Sequence, residues 1–161
     1  MPRLLIAVTT IAACAAISPA LRAANNVPVP SSCTPQVNQK LFQLLNSGQQ
    51  ADVYNVMVCG ITTGPSKTQR GGMNGDHQIL PLRVAFSDGS TKLIEVVTND
   101  SLDGVVTAPQ NAQVYAYGRA FFSNTRPYSA GIDDVHCATS RRADNGWVVV
   151  NGHKFPANCG M

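Results

Sequence analysis

The sequence has 161 residues, of which 44% are hydrophobic, and this length is enough for one modest hydrophobic core. Twelve Lys and Arg residues outnumber nine Asp and Glu residues, which gives a formal net charge of +3. Arg3 and Arg22 lie in a segment that we expect to be removed, so ten basic residues then face nine acidic ones, a net charge of +1. An excess of one charge gives no strong signal for nucleic-acid binding.

The first residues have the pattern of a secretory signal peptide. Arg3 precedes an apolar run at residues 4–17, and small residues that suit cleavage follow at Ala20 and Ala23. The run is too short for a membrane-spanning helix, and no second run follows it. We therefore predict a signal peptide at residues 1–23, no transmembrane segment, and a secreted or periplasmic protein.

Cys14 offers an alternative to simple cleavage. It ends the stretch Ile11-Ala12-Ala13-Cys14, which resembles a bacterial lipobox in which the cysteine would carry lipid. The apolar run before Cys14 is short, and the sequence after it stays apolar instead of becoming a polar tether. We therefore favour cleavage without a lipid anchor.

Four cysteines remain after the predicted signal peptide: Cys33, Cys59, Cys137 and Cys159. An even number of cysteines in an exported chain is typical of two disulfides, and three pairings are open. We favour Cys33–Cys59 and Cys137–Cys159 because each pair closes a local loop. No C-x-x-C pair is present to hold zinc, and we predict no cofactor.

The order of predicted elements gives an α+β fold, with one N-terminal helix followed by a mostly antiparallel β-sheet. Residues 24–32 are rich in proline and polar side chains, and we predict a flexible leader before a single domain at residues 33–161. Thr34 and Pro35 are typical of the cap and first turn of a helix, and apolar residues continue at helical spacing to Leu45.

The rest of the chain is predicted to form strands and turns. Asp88-Gly89 and Asn151-Gly152 predict tight hairpins. Residues 62–76 are glycine-rich and predict a loop, whereas residues 99–104 predict a turn and not a calcium loop, because Leu102 interrupts the oxygen ligands. These hairpin connections favour a small barrel or sandwich. The predicted strands are residues 53–61, 80–86, 92–97, 113–122, 147–150 and 153–155.

Two histidines from distant segments are the candidates for chemistry. His77 lies at the start of a predicted strand, and His136 follows the paired residues Asp133 and Asp134. One imidazole as base and one as acid would be sufficient for metal-independent phosphodiester cleavage, as in a ribonuclease. In this hypothesis Asp134 orients His136 and Arg141 stabilises negative charge.

Other interpretations stay open from the residues alone. His77, Asp134 and His136 could bind a divalent metal instead. The domain could be a non-catalytic module whose edge strands and glycine-rich loop bind an unknown extracellular ligand. Arg141 and Trp147 could belong to a base-stacking patch, although an ordinary hairpin flank is the simpler interpretation.

Several short phrases also occur in an order known from another group of proteins. They are residues 54–56 (YNV), 77–79 (HQI), 112–118 (AQVYAYG), 131–136 (GIDDVH) and 144–146 (DNG). Over roughly residues 53–150 this order resembles the YukJ-like family of uncharacterised bacterial proteins, whose phrases include HYQIHV, AEVYAFG and GVHDIHMNQGN. The resemblance falls on His77, Asp134 and His136, and it implies a site there.

The chain departs from this family at two places. Asp133 stands where the family has the first His of HDIH, and residues 137–141 (CATSR) replace MNQGN. If those side chains carry chemistry in the family, this chain lacks part of it. Since the family has no assigned activity, the resemblance implies fold and location more than function.

Overall fold

The computed structural model describes residues 25–122, 127–139 and 143–159. The predicted signal peptide, Cys14 and Arg141 lie outside these residues. No helix in the described ranges is long and apolar enough to cross a bilayer. The described α-helices are α1 (Gln39–Asn46) and α2 (Asp100–Asp103), and the strands are β1 (Val53–Thr62), β2 (Lys67–Gln69), β3 (His77–Ala85), β4 (Thr91–Asn99), β5 (Gln113–Phe121), β6 (Gly131–Asp133), β7 (Trp147–Val150) and β8 (His153–Phe155).

Five of these strands close into a barrel. The circuit runs β1-β3-β4-β6-β5 and returns to β1, while β2 pairs with β3 and the β7–β8 hairpin extends from β5. All pairings are antiparallel except β4–β6, which is parallel and sets Glu95 beside Gly131. A five-stranded barrel with this connectivity has the Greek-key architecture of OB-folds. The structure thus selects the barrel over the sandwich.

The barrel interior is filled by alternate residues of its strands, because successive side chains of a strand point to opposite faces. Leu41 of α1 joins this cluster and is fully buried, and Phe42 packs on Phe86 with 5.2 Å between the ring centroids. The strand residues of the interior are Val56, Val58, Leu80, Leu82, Val84, Ile94, Val96, Val114, Ala116, Ala120, Ile132, Val148 and Val150.

A second apolar cluster lies on the opposite face of β5 and β7. Tyr117 and Trp147 stack there at 5.9 Å, and Trp147 is buried and donates its Nε1–H to the carbonyl oxygen of Val27 at 2.8 Å. Asn26 forms a β-bridge with Asn145. Asn26 and Val27, at the start of the predicted flexible leader, therefore contact the sheet. Because Trp147 is buried, it cannot form a base-stacking patch.

Both predicted disulfides are confirmed. Cys33–Cys59 links the N-terminal segment to β1, and Cys137–Cys159 links the segment after β6 to the end of the described chain. Each bridge closes a loop of ordinary length, for which a stabilisation of about 3 kcal/mol is typical.

The predicted helix is not one continuous α-helix. It starts as a 3-10 turn, Pro35–Asn38, and becomes α-helical only at Gln39. Thr34 makes no side-chain cap, so its predicted capping role is wrong; instead its carbonyl oxygen accepts the N–H of Val37 at 3.0 Å.

Asn38 joins the helical segment to the barrel. Its side-chain amide donates to the carbonyl oxygens of Cys59 at 3.1 Å and Ala85 at 2.9 Å, and its Oδ1 accepts the N–H of Cys59 at 2.7 Å. The residue is buried. Three backbone groups of the barrel thus have the Asn38 side chain as a hydrogen-bond partner.

We expect Asn38→Ala to lower the free energy of unfolding by about 3 kcal/mol, because buried donors and acceptors that lose their partners are costly. Urea denaturation at pH 7 measures the effect. The matched control is Gln43→Ala at an exposed position of α1, for which a change within about 0.5 kcal/mol is expected. Equal effects of the two changes would contradict the role given to Asn38.

Three segments differ from their sequence predictions. Residues 62–76 are not entirely loop, since β2 pairs along β3 and sets Gln69 opposite His77. Residues 99–104 contain the short helix α2, whose N-terminus is capped by the Asn99 side chain, which accepts the N–H of Ser101 at 2.9 Å. Gly131–Asp133 is strand β6, which the sequence pattern did not predict. A Cβ at Gly131 would overlap the Phe121 ring, so this glycine permits the close packing of Phe121 on β6.

Candidate functional site

The candidate site lies on the outer face of the barrel, where neighbouring strands carry polar side chains. The β3–β4 register sets His77 opposite Asn99, and the β5–β6 register sets Arg119 opposite Asp133. Each of the four has a buried neighbour within its own strand, so alternation directs these side chains outward. The outer face of the second and third barrel strands, here β3 and β4, is also a ligand-binding surface in OB-folds.

These side chains surround a cavity of about 230 Å³. The three residues predicted from separate segments, His77, Asp134 and His136, all line it. Its volume is below the roughly 300 Å³ at which pockets for drug-sized ligands begin, so it fits a small chemical group. Its lining is completed by Val97, Asn99, Leu102, Asp103, Arg119 and Asp133.

Arg119 holds the carboxylates on one wall. Its guanidinium makes two parallel hydrogen bonds to Asp133, at 2.9 and 2.8 Å, and its Nε lies 3.2 Å from Asp134 Oδ2. Its Nη1 lies 3.4 Å from Asp52 Oδ2. The hydrogen bond to Asp133 is the main cause of a raised Arg119 pKa, so this side chain stays charged. Sequence reasoning missed Arg119, although its outward position follows from alternation along β5.

The turn after β6 places Asp134 against His136. Asp134 has a left-handed backbone with φ of 50°, so the strand does not continue past Asp133, and strand alternation does not place Asp134 and His136 on one face. The turn nevertheless brings Asp134 Oδ1 to 3.7 Å from His136 Nε2. Gly146 supports it closely: a Cβ there would overlap the Asp134 carbonyl oxygen, and its N–H donates to the His136 carbonyl oxygen at 2.7 Å.

The tautomer of His136 follows from its neighbour along the chain. Nδ1 lies 2.9 Å from the Cys137 carbonyl oxygen, which can only accept a hydrogen bond, so Nδ1 carries the proton of the neutral ring. Nε2 is then the nitrogen that can take up a proton. We predicted that Asp134 would orient His136; the Cys137 carbonyl fixes the tautomer, and Asp134 lies beside Nε2.

The tautomer of His77 is set in the same way. Asn99 Oδ1 accepts the N–H of Ser101, which turns its amide nitrogen toward His77. That nitrogen lies 3.3 Å from His77 Nε2 and can only donate, so Nε2 accepts and Nδ1 carries the proton. Both imidazoles of the cavity are therefore held in defined orientations.

Asp103 is a buried carboxylate with one unsatisfied oxygen. The residue is 6% exposed, and its Oδ2 accepts the N–H of Asn99 at 2.6 Å. Its Oδ1 has no hydrogen-bond partner among the described residues. Burial raises the pKa of Asp103, and the nearby Asp134 adds to this effect, whereas His136 opposes it. The sequence indicated only a turn here, so Asp103 was not predicted as a site residue.

We expect Asp103→Asn to raise the free energy of unfolding at pH 7 by roughly 1 kcal/mol, because it removes a buried charge with an unsatisfied oxygen. The pKa of Asp103 is higher in the folded state than in the unfolded state. The stability that its protonated form contributes is therefore present below the unfolded-state pKa of about 3.9 and is lost as the pH rises through the folded-state pKa. The gain should therefore vanish near pH 4. Urea denaturation across this range measures it.

The control for this substitution is Asp88→Asn. Hydrogen bonds from Ser90 lower the pKa of the exposed Asp88, so its contribution to stability has the opposite sign and is present at pH 7. Asp88→Asn should give no stabilisation at pH 7. A stabilisation by Asp103→Asn that persists at pH 4 would contradict the assignment of the effect to ionisation.

Two further sequence predictions concern this site. Arg141, the predicted charge stabiliser, lies outside the described residues. No three His, Cys, Asp or Glu side chains within the described ranges converge in a way that could hold a metal ion. The metal interpretation of His77, Asp134 and His136 therefore gains no support from their arrangement.

No protein-family model, curated protein or solved structure matches the chain. The class of protein is therefore defined by its own architecture. It is a disulfide-bonded five-stranded barrel whose outer face carries a cavity lined by two imidazoles, three carboxylates and a guanidinium.

Proposed function

We propose that the cavity is a hydrolytic site in which His136 is the general base and His77, the acid of the sequence hypothesis, is a neutral hydrogen-bond donor to the leaving group. One observation carries this proposal: two imidazoles from separate segments line the same cavity, each with a defined tautomer. Imidazole is the side chain most often used for proton transfer in enzymes. Membership of the YukJ-like family would be consistent with a site at these residues.

The proposed reaction consumes one water molecule. His136 Nε2 takes a proton from water while the water oxygen bonds to the electrophilic centre of the substrate. The bond to the leaving group breaks, and the leaving atom receives the proton that His136 took from water, while the Nδ1–H of neutral His77 donates a hydrogen bond to the leaving atom. Asp134, 3.7 Å from Nε2, stabilises the imidazolium that forms on His136. His136 is then neutral again, so both rings end the reaction in their starting states.

The charges of the cavity indicate which class of substrate bond is hydrolysed. The guanidinium of Arg119 is paired with Asp133, Asp134 and Asp52, so the described part of the cavity offers no uncommitted guanidinium for a phosphoryl group. An uncharged or cationic ester or amide is therefore favoured over the phosphodiester that the sequence suggested. A phosphodiesterase would need Arg141 as its charge stabiliser.

The test is hydrolysis by the full mature chain of nitrophenyl carboxylic esters and of bis-nitrophenyl phosphate, with and without EDTA. We expect hydrolysis of the carboxylic esters, unchanged by EDTA. Loss of activity in EDTA would move the assignment to a metal enzyme. Hydrolysis of the phosphodiester alone, abolished by Arg141→Gln, would restore the phosphodiesterase hypothesis.

A second candidate function is ligand binding without catalysis. It is favoured by the position of the cavity on the outer face of β3 and β4, which OB-folds use for binding. Fold-level analogy supports location and not activity. In this case His77→Gln and His136→Gln would change ligand affinity, and no turnover would be found.

We also propose that the protein is exported to an oxidising compartment, secreted or periplasmic. The two disulfides support this location, because such bonds persist in oxidising environments.

A further inference from the structure

We propose that the cavity takes an organic cation, a guanidinium or primary ammonium group joined to an apolar group, with Asp103 as its carboxylate partner. This inference rests on the proposed function for the location of the site, and it adds the chemical class of the ligand. It depends on three observations: the balance of charge, the unsatisfied oxygen of Asp103 and the exposed Leu102 in the lining.

The first observation is the balance of charge. Among the described lining residues, Asp103, Asp133 and Asp134 bring three negative charges against the single positive charge of Arg119, a difference of two with both imidazoles neutral. Arg119 is already paired with Asp133 and Asp134, so it does not neutralise Asp103. A partly enclosed cavity of one sign concentrates ligands of the opposite sign.

The second observation is the unsatisfied oxygen. Asp103 is 6% exposed and lines the cavity, and its Oδ1 lacks a hydrogen-bond partner among the described residues. Buried carboxylate oxygens are ordinarily hydrogen-bonded, so this one is suited to a donor that arrives with the ligand. An N–H of a guanidinium or ammonium group would supply both the hydrogen bond and the opposite charge.

The third observation concerns the lining. Leu102 lines the cavity and is 54% exposed. An exposed leucine in the lining of a polar cavity offers an apolar contact to a ligand. It would contact the apolar part of the cation.

The experiment compares three probes of similar shape: phenylguanidinium, phenylurea and phenyl phosphate. Their affinities for the full mature chain are measured by calorimetry and by amide chemical shifts. We expect phenylguanidinium to bind at least tenfold more tightly than phenylurea, and Asp103→Asn to bring the two within twofold. Asp88→Asn, which removes the same charge from the exposed β3–β4 turn, should keep the tenfold preference.

Tighter binding of phenyl phosphate than of phenylguanidinium would overturn the inference. So would an unchanged preference in Asp103→Asn. Because Asp103→Asn is expected to stabilise the fold, a loss of binding in this variant cannot be assigned to unfolding.

A second experiment tests whether the cationic group belongs to a peptide or to a small molecule. A blocked pentapeptide with a central arginine is compared with the same peptide carrying citrulline, its uncharged analogue. If the arginine peptide binds more tightly than phenylguanidinium, the cation belongs to a peptide; if it binds less tightly but still above the citrulline peptide, the cation belongs to a small molecule. Equal binding of the two peptides would count against the inference.

Binding and turnover separate the two proposals. Cation binding that needs Asp103, without hydrolysis of any ester, would overturn the proposed hydrolysis and leave the cation site standing. Hydrolysis of uncharged esters that needs His136, without preference for a cation, would overturn the cation site and leave the proposed hydrolysis standing.

Discussion

Replacing Arg119 by methionine should lower the free energy of unfolding by about 3 kcal/mol, because Asp133 would keep a negative charge without its partner. The Asp133 side chain is 24% exposed and receives both parallel hydrogen bonds of the guanidinium. Removing one member of a buried ion pair typically costs about 3–5 kcal/mol, and the partial exposure of this pair places the effect at the lower end. Urea denaturation at pH 7 measures the loss.

The matched control is the double variant Arg119→Met/Asp133→Asn, which removes both charges and should recover at least half of the loss. Burial raises the pKa of Asp133, and the Arg119 hydrogen bond opposes that rise. Without Arg119 the carboxyl protonates more readily, so the deficit of the single variant should shrink as the pH falls toward about 4. A deficit that is equal at both pH values and persists in the double variant would show that lost packing, not charge, is the cause.

The substitution His136→Gln should lower kcat/KM for the hydrolysed ester at least 100-fold, because general-base catalysis typically contributes about 10²–10⁴-fold. Glutamine can hydrogen-bond but cannot take up a proton at neutral pH. Stability should stay within about 1 kcal/mol of the parent chain, since His136 is a member of neither hydrophobic cluster. His153→Gln, on the exposed start of β8, is the control and should have no effect on activity.

The opposite result would have a clear structural meaning. If His136→Gln costs several kcal/mol and the remaining activity follows the folded fraction, then His136 is a buried structural donor to the Cys137 carbonyl. The non-catalytic binding module would then be the better account of the cavity.

Features that depend on local sequence were predictable. The turns Asp88-Gly89 and Asn151-Gly152 join β3 to β4 and β7 to β8, because positive φ at Gly89 and Gly152 fits tight hairpins. The cysteine pairs close short loops, which made the local pairing the simplest choice. Strand β6 was missed because it has only three residues and its parallel partner, β4, is distant in sequence.

The site was predictable only in part. His77, Asp134 and His136 could be chosen as chemically capable side chains, but nothing in their spacing brings them together; the barrel does. Arg119 required knowledge of the β5–β6 register, which sets it opposite Asp133. Asp103 required knowledge that α2 buries it, because an aspartate in a turn is ordinarily exposed.

The central claim is that His77 and His136 belong to one ligand site. The chain has three histidines, and His153 is exposed on β8, so it serves as an internal control. We propose to label the histidine rings with ¹³C and to titrate phenylguanidinium, phenylurea and phenyl phosphate in turn. With the probe that binds, the signals of His77 and His136 should shift with the same dissociation constant while His153 stays fixed. A shift of only one of the two, or of His153 as much as either, would contradict the shared site.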